Sequence, residues 1–330
     1  MVPKIVLYDD VPEDLLARLE QQTDVTILET FEGVSDKALH NVLSSAEGLI
    51  GVGEKIDSKI LDQAPKLRVV STISVGYDYF DVADLTRRGI MLMHTPDVLT
   101  DTTADMIFML MLCAARRTIE MNEMVIQGRW TEAVSADCFG WDVHGKKLGI
   151  LGMGRIGYAV AKRAYGGFDM EILYYGRSVN QEAENDFEAI RTPLDQLLAE
   201  SDFVCVTLPL SEQTRKLIGA RELALMKPSA FLINGGRGPI IDETALIEAL
   251  QNGVIRGAGL DVYEHEPLSS HSPLMDLANV VTLPHIGSAT HETRYAMARC
   301  AVDNLLAALQ SQSLVNCVNP DALQHVNEGT

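Results

Sequence analysis

Short apolar runs alternate with helically spaced segments along most of this chain. Residues 4–8, 24–28, 48–52, 68–73 and 90–93 read as strands, compact and rich in Val, Ile and Leu. Between the first two, residues 12–22 carry Leu15, Leu16 and Leu19 at helical spacing. Residues 35–44 form a second helical segment, with Ser35 placed to cap it. A long helical stretch from 101 to 127 follows, and its part 106–115 is wholly apolar. That run is about half of what a bilayer needs, roughly 20 residues, so it predicts a helix buried in a core or a subunit interface. The alternation then restarts, with strands at 147–151, 170–175, 203–208, 230–233, 255–262 and 280–283. Helices are expected at 158–165, 193–199, 243–252 and 292–309, and the tail after Asn319 reads as frayed. Repeated βα units predict an α/β fold of two doubly wound parallel sheets with helices on both faces. The handovers fall near residues 100 and 287. They predict a discontinuous domain of residues 1–100 plus 287–330 and a second domain of residues 101–286. Helices starting at 101 and near 291 would link the two as a hinge pair.

Length and charge narrow the picture. At 330 residues the chain exceeds one ordinary core, which agrees with two domains. Lys and Arg number 27 against 46 Asp and Glu, a net charge of −19. That balance excludes nucleic acid as the expected partner and disfavours an anionic membrane. Any site for an anion must then be built from local cations, which makes an Arg set among glycines informative. The five cysteines Cys113, Cys138, Cys205, Cys300 and Cys317 are scattered, with no CxxC pair. They read as reduced, mostly buried thiols, and with no signal-peptide pattern they predict a cytoplasmic protein. No metal site is expected. His265 and Glu266 are sequence neighbours, and neighbours on a strand point apart.

The strongest motif is Gly152-Met153-Gly154-Arg155-Ile156-Gly157, set between the strand 147–151 and a helix. In that context Gly152 permits a tight turn, Gly154 lets backbone approach a pyrophosphate, and Gly157 permits close helix packing. The helix N-terminus adds amide donors and the positive end of its dipole. About twenty residues on, NAD sites place an acid that holds the ribose 2′-hydroxyl. Here Gly176-Arg177-Ser178 stands at that position. Arg177 can pair with a 2′-phosphate and Ser178 can donate to it. The expected cofactor is NADP(H), with NAD(H) admissible.

Three later segments carry reactive groups. Arg237 lies in Asn234-Gly235-Gly236-Arg237-Gly238-Pro239, exposed among residues too small to cover it. It can grip a carboxylate with two parallel hydrogen bonds. Glu266 closes the segment 259–267, and His285 stands between Pro284 and a small-residue turn at a strand end. Reduction of a 2-keto acid needs a proton donor, a partner that holds the donor, and a cation for the carboxylate. His285, Glu266 and Arg237 supply these in that order.

The segments GMGRIG, NGGRGPIID, GLDVYEHEP and PHIGSATHETR, with SVGYD at 74–78 and HTPDVLTDTTAD at 94–105, resemble the D-isomer-specific 2-hydroxyacid dehydrogenases. The resemblance is nearest to bacterial glyoxylate/hydroxypyruvate and 2-ketogluconate reductases and runs through almost the whole chain. It implies a Rossmann cofactor domain and a flavodoxin-like substrate domain. It implies Arg237, Glu266 and His285 as the catalytic set, and the amides of Val75 and Gly76 on the substrate carboxylate, with Ser288 also at the substrate. Set beside such relatives, Gly51 and Gly53 in the segment 49–54 leave the pocket wall bare, which predicts a roomy substrate pocket with Gly51 on its lining. Cofactor contacts are implied at Arg155, Ile156, Leu208, Pro209, Thr214, Gly235, Asp261, His285 and Gly287, with Asp261 beside the nicotinamide carboxamide. It further implies a homodimer through the cofactor domain. The expected function is an NADPH-preferring reductase of glyoxylate, hydroxypyruvate or 2-ketogluconate. The alternative is a dinucleotide-sensing interaction protein of the corepressor type, against which the intact Arg, Glu and His set weighs.

Overall fold

The computed structural model describes residues 2–310 and 315–323. The chain forms two compact units, Met1–Leu99 with Ala289–Thr330, and Thr100–Ser288. The first holds five parallel strands: β1 (Lys4–Leu7), β2 (Asp24–Ile27), β3 (Gly48–Gly51), β4 (Val69–Thr72) and β5 (Met91–Met93). Their order is β2-β1-β3-β4-β5. Four helices follow the strands in turn, α1 (Glu13–Glu20), α2 (Asp36–Leu43), α3 (Ser58–Leu61) and α4 (Val82–Arg87). Successive strand residues point to opposite faces. Val6, Leu49, Val70 and Leu92 therefore meet Leu39, Leu43, Leu61 and Leu85 of α2, α3 and α4 on one side. On the other side the C-terminal helix His291–Leu309 packs closely. Ser71 Oγ donates to Ala301 O at 2.8 Å. A Cβ on Gly48 would lie 2.9 Å from Leu305 Cδ1.

The expected fraying after Asn319 needs correction. Asn319 Oδ1 accepts from Leu92 N at 2.7 Å, and its Nδ2 donates to Ile90 O at 2.9 Å. Ala322 is fully buried. The chain is thus pinned to β5 at this point. Residues 324–330 of that tail lie outside the described residues.

The second unit opens with α5 (Thr100–Arg116) and α6 (Thr118–Ile126). A single helix was expected over 101–127, but Arg117 has left-handed backbone, φ 54°, and ends the first helix there. Its guanidinium then turns onto Glu120 at 2.6 Å. α5 buries most of its faces, Met106, Ile107, Phe108, Leu110 and Met111 among them, whereas α6 buries none of its residues. The strands are β6 (Lys147–Leu151), β7 (Glu171–Tyr175), β8 (Ile190–Arg191), β9 (Phe203–Val206), β10 (Phe231–Asn234), β11 (Gly257–Leu260) and β12 (Val280–Thr282). They run parallel in the order β12-β11-β10-β9-β6-β7-β8. The helices are α7 (Arg155–Phe168), α8 (Gln181–Phe187), α9 (Leu194–Glu200), α10 (Ala220–Leu225) and α11 (Glu243–Gln251). Alternate residues again divide the sheet. Leu148, Ile150, Phe203, Cys205 and Ile233 pack with residues of α5 and α7. Leu151, Val204, Val206, Leu232 and Leu260 pack with α9, α10 and α11. α8 and β8 were not anticipated, because α8 buries only Ala183 and Phe187 and β8 is an exposed edge of two residues.

Strand order reverses between β6 and β9: β7 and β8 lie on one side of β6, and β9 to β12 lie on the other. In open parallel sheets ligands bind outside the carboxyl ends of the strands at such a point. Of the five cysteines only Cys205 is buried, which corrects the expectation of mostly buried thiols. Burial pushes the Cys205 thiol up to about 12, so it is protonated at neutral pH. Among the described residues no helix is long and apolar enough to cross a membrane.

Candidate active site

The glycine turn joins β6 to α7 at the reversal point. Gly152 has φ +105°, and a Cβ there would lie 2.9 Å from Leu208 N. A Cβ on Gly157 would lie 2.2 Å from Gly152 O, so only glycine lets the helix start this close to the strand. Gly154 differs from both, because a Cβ there would meet nothing within 4 Å. α7 begins at the next residue, and the Gly154 position supplies no side-chain cap. Gly154 thus offers no hydroxyl or carboxylate of its own to the first turn of α7, and it borders open space. These features fit a bound pyrophosphate. Thr207 Oγ1 donates to Gly152 O at 2.7 Å and braces the turn, a role the motif does not disclose. Arg155 is exposed and Ile156 half-buried.

The loops beside the turn are tied to it or to themselves. Thr214 Oγ1 donates to Pro209 O and accepts from Ser211 N, each at 2.8 Å, which closes the loop after Leu208. Leu208 also backs a second glycine, since a Cβ on Gly236 would lie 3.0 Å from Leu208 O. At the end of β7, Arg177 and Ser178 are exposed. Arg191, on β8, donates to Gly176 O at 2.9 Å and Arg177 O at 3.1 Å. Asn180 Nδ2 donates to Met153 O at 2.9 Å and links this loop to the glycine turn.

The loops after β10, β11 and β12 carry the ionisable groups. Asn234, 1% exposed, accepts from Gly236 N and donates to Arg237 O, each at 3.1 Å, and so shapes the Arg237 loop. Gly235 packs tightly as well, because a Cβ there would lie 2.3 Å from Ile107 Cγ1. Gly238 must be glycine, since a Cβ there would fall 1.8 Å from the Tyr263 carbonyl. Glu266 Oε2 lies 2.7 Å from His285 Nδ1, and Glu266 Oε1 accepts from Tyr263 N at 3.0 Å. Burial opposes ionisation of Glu266. The hydrogen bonds from His285 and from the Tyr263 amide, with the nearby charge of Arg237, outweigh it and hold the carboxyl below its usual range.

His285 itself has left-handed backbone, φ 53°. The turn around it is held from beneath by Asp261, 2% exposed, which accepts from Ile286 N at 2.7 Å and Gly287 N at 2.9 Å. Burial pushes the Asp261 carboxyl up, against the opposing effect of those amides. Tyr263 OH donates to Leu283 O at 2.8 Å and joins the two loops. Both carboxylate oxygens of Asp261 thus act on the His285 turn, and neither this role nor those of Asn234 and Tyr263 has a sequence signature. Gly287 is buried and Ser288 half-buried just beyond. Among the described residues no His, Cys, Asp and Glu group could hold a metal ion.

Val75, Gly76 and Gly51 belong to the first unit. Val75 and Gly76 form a half-buried turn after β4. The bare wall expected at Gly51 is a correction. A Cβ on Gly51 would lie 2.5 Å from Tyr8 Cδ2, so the buried Tyr8 ring already fills that space. Gly53 has nothing within 4 Å of its Cβ position and is open.

Residues 108–287 match the family described as D-isomer specific 2-hydroxyacid dehydrogenase, NAD binding domain. The chain is 57% identical over 324 residues to glyoxylate/hydroxypyruvate reductase B of Serratia proteamaculans, covering 98% of this chain and all of that one. Its structure resembles an NADPH-dependent glyoxylate/hydroxypyruvate reductase of Sinorhizobium meliloti, solved with NADP and malonate. The TM-score is 0.86 at 32% identity, over 98% of each chain. A glyoxylate reductase of Paecilomyes thermophila gives a TM-score of 0.87 at 31% identity, over 96% of this chain and 98% of that one. The chain belongs to the D-isomer specific 2-hydroxyacid dehydrogenase family. It is an oxidoreductase that acts on the CH–OH group of its donor with a nicotinamide dinucleotide.

Proposed function

We propose that the protein is an NADPH-preferring reductase of small 2-keto acids, glyoxylate and hydroxypyruvate foremost and 2-ketogluconate as a further substrate. The observation that carries this reading is the 2.7 Å contact of His285 Nδ1 with Glu266 Oε2, at the carboxyl end of the sheet that bears the glycine turn. A bound reduced nicotinamide supplies the hydride. Because ionised Glu266 can only accept, His285 Nδ1 is the donor to it, and Nε2 is left to pass a proton to the substrate carbonyl oxygen. Glu266 thereby fixes the orientation of the ring. The substrate carboxylate is assigned to Arg237 and to the amides of Val75 and Gly76. Asp261 holds the His285 turn in place for this exchange.

The preference for NADPH rests on Arg177 and Ser178, exposed at the end of β7 with no acid beside them in the segment 176–178. The Sinorhizobium relative is named as NADPH-dependent, which supports the same assignment. A homodimer through the second unit is supported by the exposed apolar side chains Ile126, Trp130 and Phe139 on and after α6. The test of function is a panel that follows loss of reduced nicotinamide absorbance. NADPH and NADH are each paired with glyoxylate, hydroxypyruvate, 2-ketogluconate and pyruvate. Turnover of glyoxylate and hydroxypyruvate, faster with NADPH, is expected. No turnover with any acid would overturn the reading.

A further inference from the structure

The turn after β4 has its carbonyls engaged and its amides left over. Ser74 O accepts from Thr95 N at 2.9 Å. Val75 O faces His94 Nδ1 at 3.0 Å. Gly76 O accepts from Ser74 Oγ at 2.6 Å. Among the described residues no acceptor is hydrogen-bonded to the N–H of Val75 or of Gly76. Successive amides whose carbonyls are held elsewhere make a concavity for an anion.

The groups that hold those carbonyls are themselves fixed. Ser74 has one proton, and it goes to Gly76 O. Towards Thr72 Oγ1 and Tyr79 OH, each 3.0 Å away, Ser74 Oγ can therefore only accept. Thr72 Oγ1 and Tyr79 OH are 2.7 Å apart. Two proton orders are open, Tyr79 to Thr72 to Ser74, or Thr72 to Tyr79 to Ser74, and each puts protons in two of the three contacts. In both, Ser74 is the last donor of a chain in which each hydroxyl proton is used once, an arrangement that strengthens its members. Thr72 is fully buried, so the group of hydroxyls is anchored in the core. Val75 O has no proton to give, so His94 Nδ1 donates to it. The His94 backbone is tied by Asn304 Nδ2, which donates to His94 O at 2.8 Å, and its ring meets Tyr77 edge to face with centroids 5.5 Å apart.

We propose that Ser74, driven by the Thr72 and Tyr79 hydroxyls, and His94 are positioning residues for the substrate carboxylate. Each holds one carbonyl of the turn so that the Val75 and Gly76 amides stay directed at the anion. This rests on the reading above that the carboxylate of a 2-keto acid sits on those two amides. Neither residue exchanges a proton with the substrate. Loss of either loosens the carboxylate and leaves the cofactor untouched.

The test uses full-length protein with glyoxylate and NADPH, and oxamate as an unreactive carboxylate probe. Ser74→Ala is expected to raise both the glyoxylate KM and the oxamate Ki by about tenfold, the scale of one or two hydrogen bonds. The NADPH KM should not change and kcat should stay within about twofold. Tyr79→Phe, which keeps the ring and removes only the far hydroxyl, should show the same split at smaller size, and Ser74→Thr should restore binding. Unchanged KM and Ki in both Ala and Phe variants would overturn the proposal. So would a parallel rise in the KM values for glyoxylate and NADPH with a lowered Tm, the signature of a merely structural role. If Ser74→Ala does not fold, Tyr79→Phe alone decides between these results. Failure of the wild-type protein to reduce any 2-keto acid or to bind oxamate would remove the underlying reading as well. Normal wild-type kinetics with unmoved variants would remove this proposal alone.

Discussion

Two βα turns in this molecule present backbone amides, and they are built in opposite ways. The turn at 152–157 works by omission: Gly152 and Gly157 lack side chains where Leu208 N and Gly152 O come within 3 Å of a Cβ position. The turn at 74–76 works by addition: Ser74 and His94 supply side chains that occupy its carbonyls. Omission leaves a spaced glycine pattern in the chain, whereas addition draws on Thr72, Tyr79 and His94 at unrelated spacings. The first turn has no room for an added atom at Gly152 or Gly157, and the second depends on the hydroxyls that hold it. Mutation should therefore break the two turns in opposite directions.

The largest effect expected separates chemistry from either turn. His285→Ala should lower kcat by about 10²–10⁴ while dinucleotide affinity measured by nicotinamide fluorescence stays near wild type. A kcat within a few-fold of wild type would remove His285 from proton transfer. Next is Gly157→Ala, where a Cβ would be 2.2 Å from Gly152 O. Overpacking of this kind costs about 1–3 kcal/mol, so NADPH should bind about 10–100-fold more weakly, with the oxamate Ki little changed. An equal weakening of both would mean that the two turns are not independent.

Arg177→Ala should lower the NADPH over NADH preference by about tenfold, since a charge-assisted hydrogen bond is lost. An unchanged ratio would move recognition of the 2′-phosphate to another group. The smallest effect concerns pH. Glu266 is held below its ordinary range. Its contribution to stability is therefore present above the ordinary Glu value, about 4.3, and is lost as pH falls through the lower folded value. The Tm difference between wild type and Glu266→Gln should shrink over that acid window and stay flat above it. A difference that grew on acidification would contradict the sign.

The parallel α/β plan was legible because buried parallel strands are short apolar runs and the helices between them keep their own period. Where that logic lacked a signal, it failed in identifiable ways. Nothing in the run 101–127 announces that Arg117 takes left-handed backbone, since non-glycine residues adopt it only when their surroundings hold them there. β8 is an exposed edge of two residues. Gly51 reads as a gap in a wall, yet the gap belongs to Tyr8, just past the end of the neighbouring β1, whose ring lies 2.5 Å from the missing Cβ. A missing side chain in the sequence does not say whether solvent, ligand or another residue takes its place.

By itself the sequence determined the architecture class, the family, and the spacing of glycines between β6 and α7, because each is a local or repeating pattern. It also singled out Arg237, Glu266 and His285 as chemically suited to one another. Tertiary structure alone decided what holds them: Asp261 beneath the His285 turn, Tyr263 bridging to Leu283 O and Glu266, and Asn234 shaping the Arg237 loop. It alone decided that Ser74, Thr72, Tyr79 and His94 converge on one turn. The physical reason is range. Strand and helix periods and glycine sterics act within a few residues, whereas hydrogen bonds between loops depend on where parallel strands end, which only the assembled sheet sets.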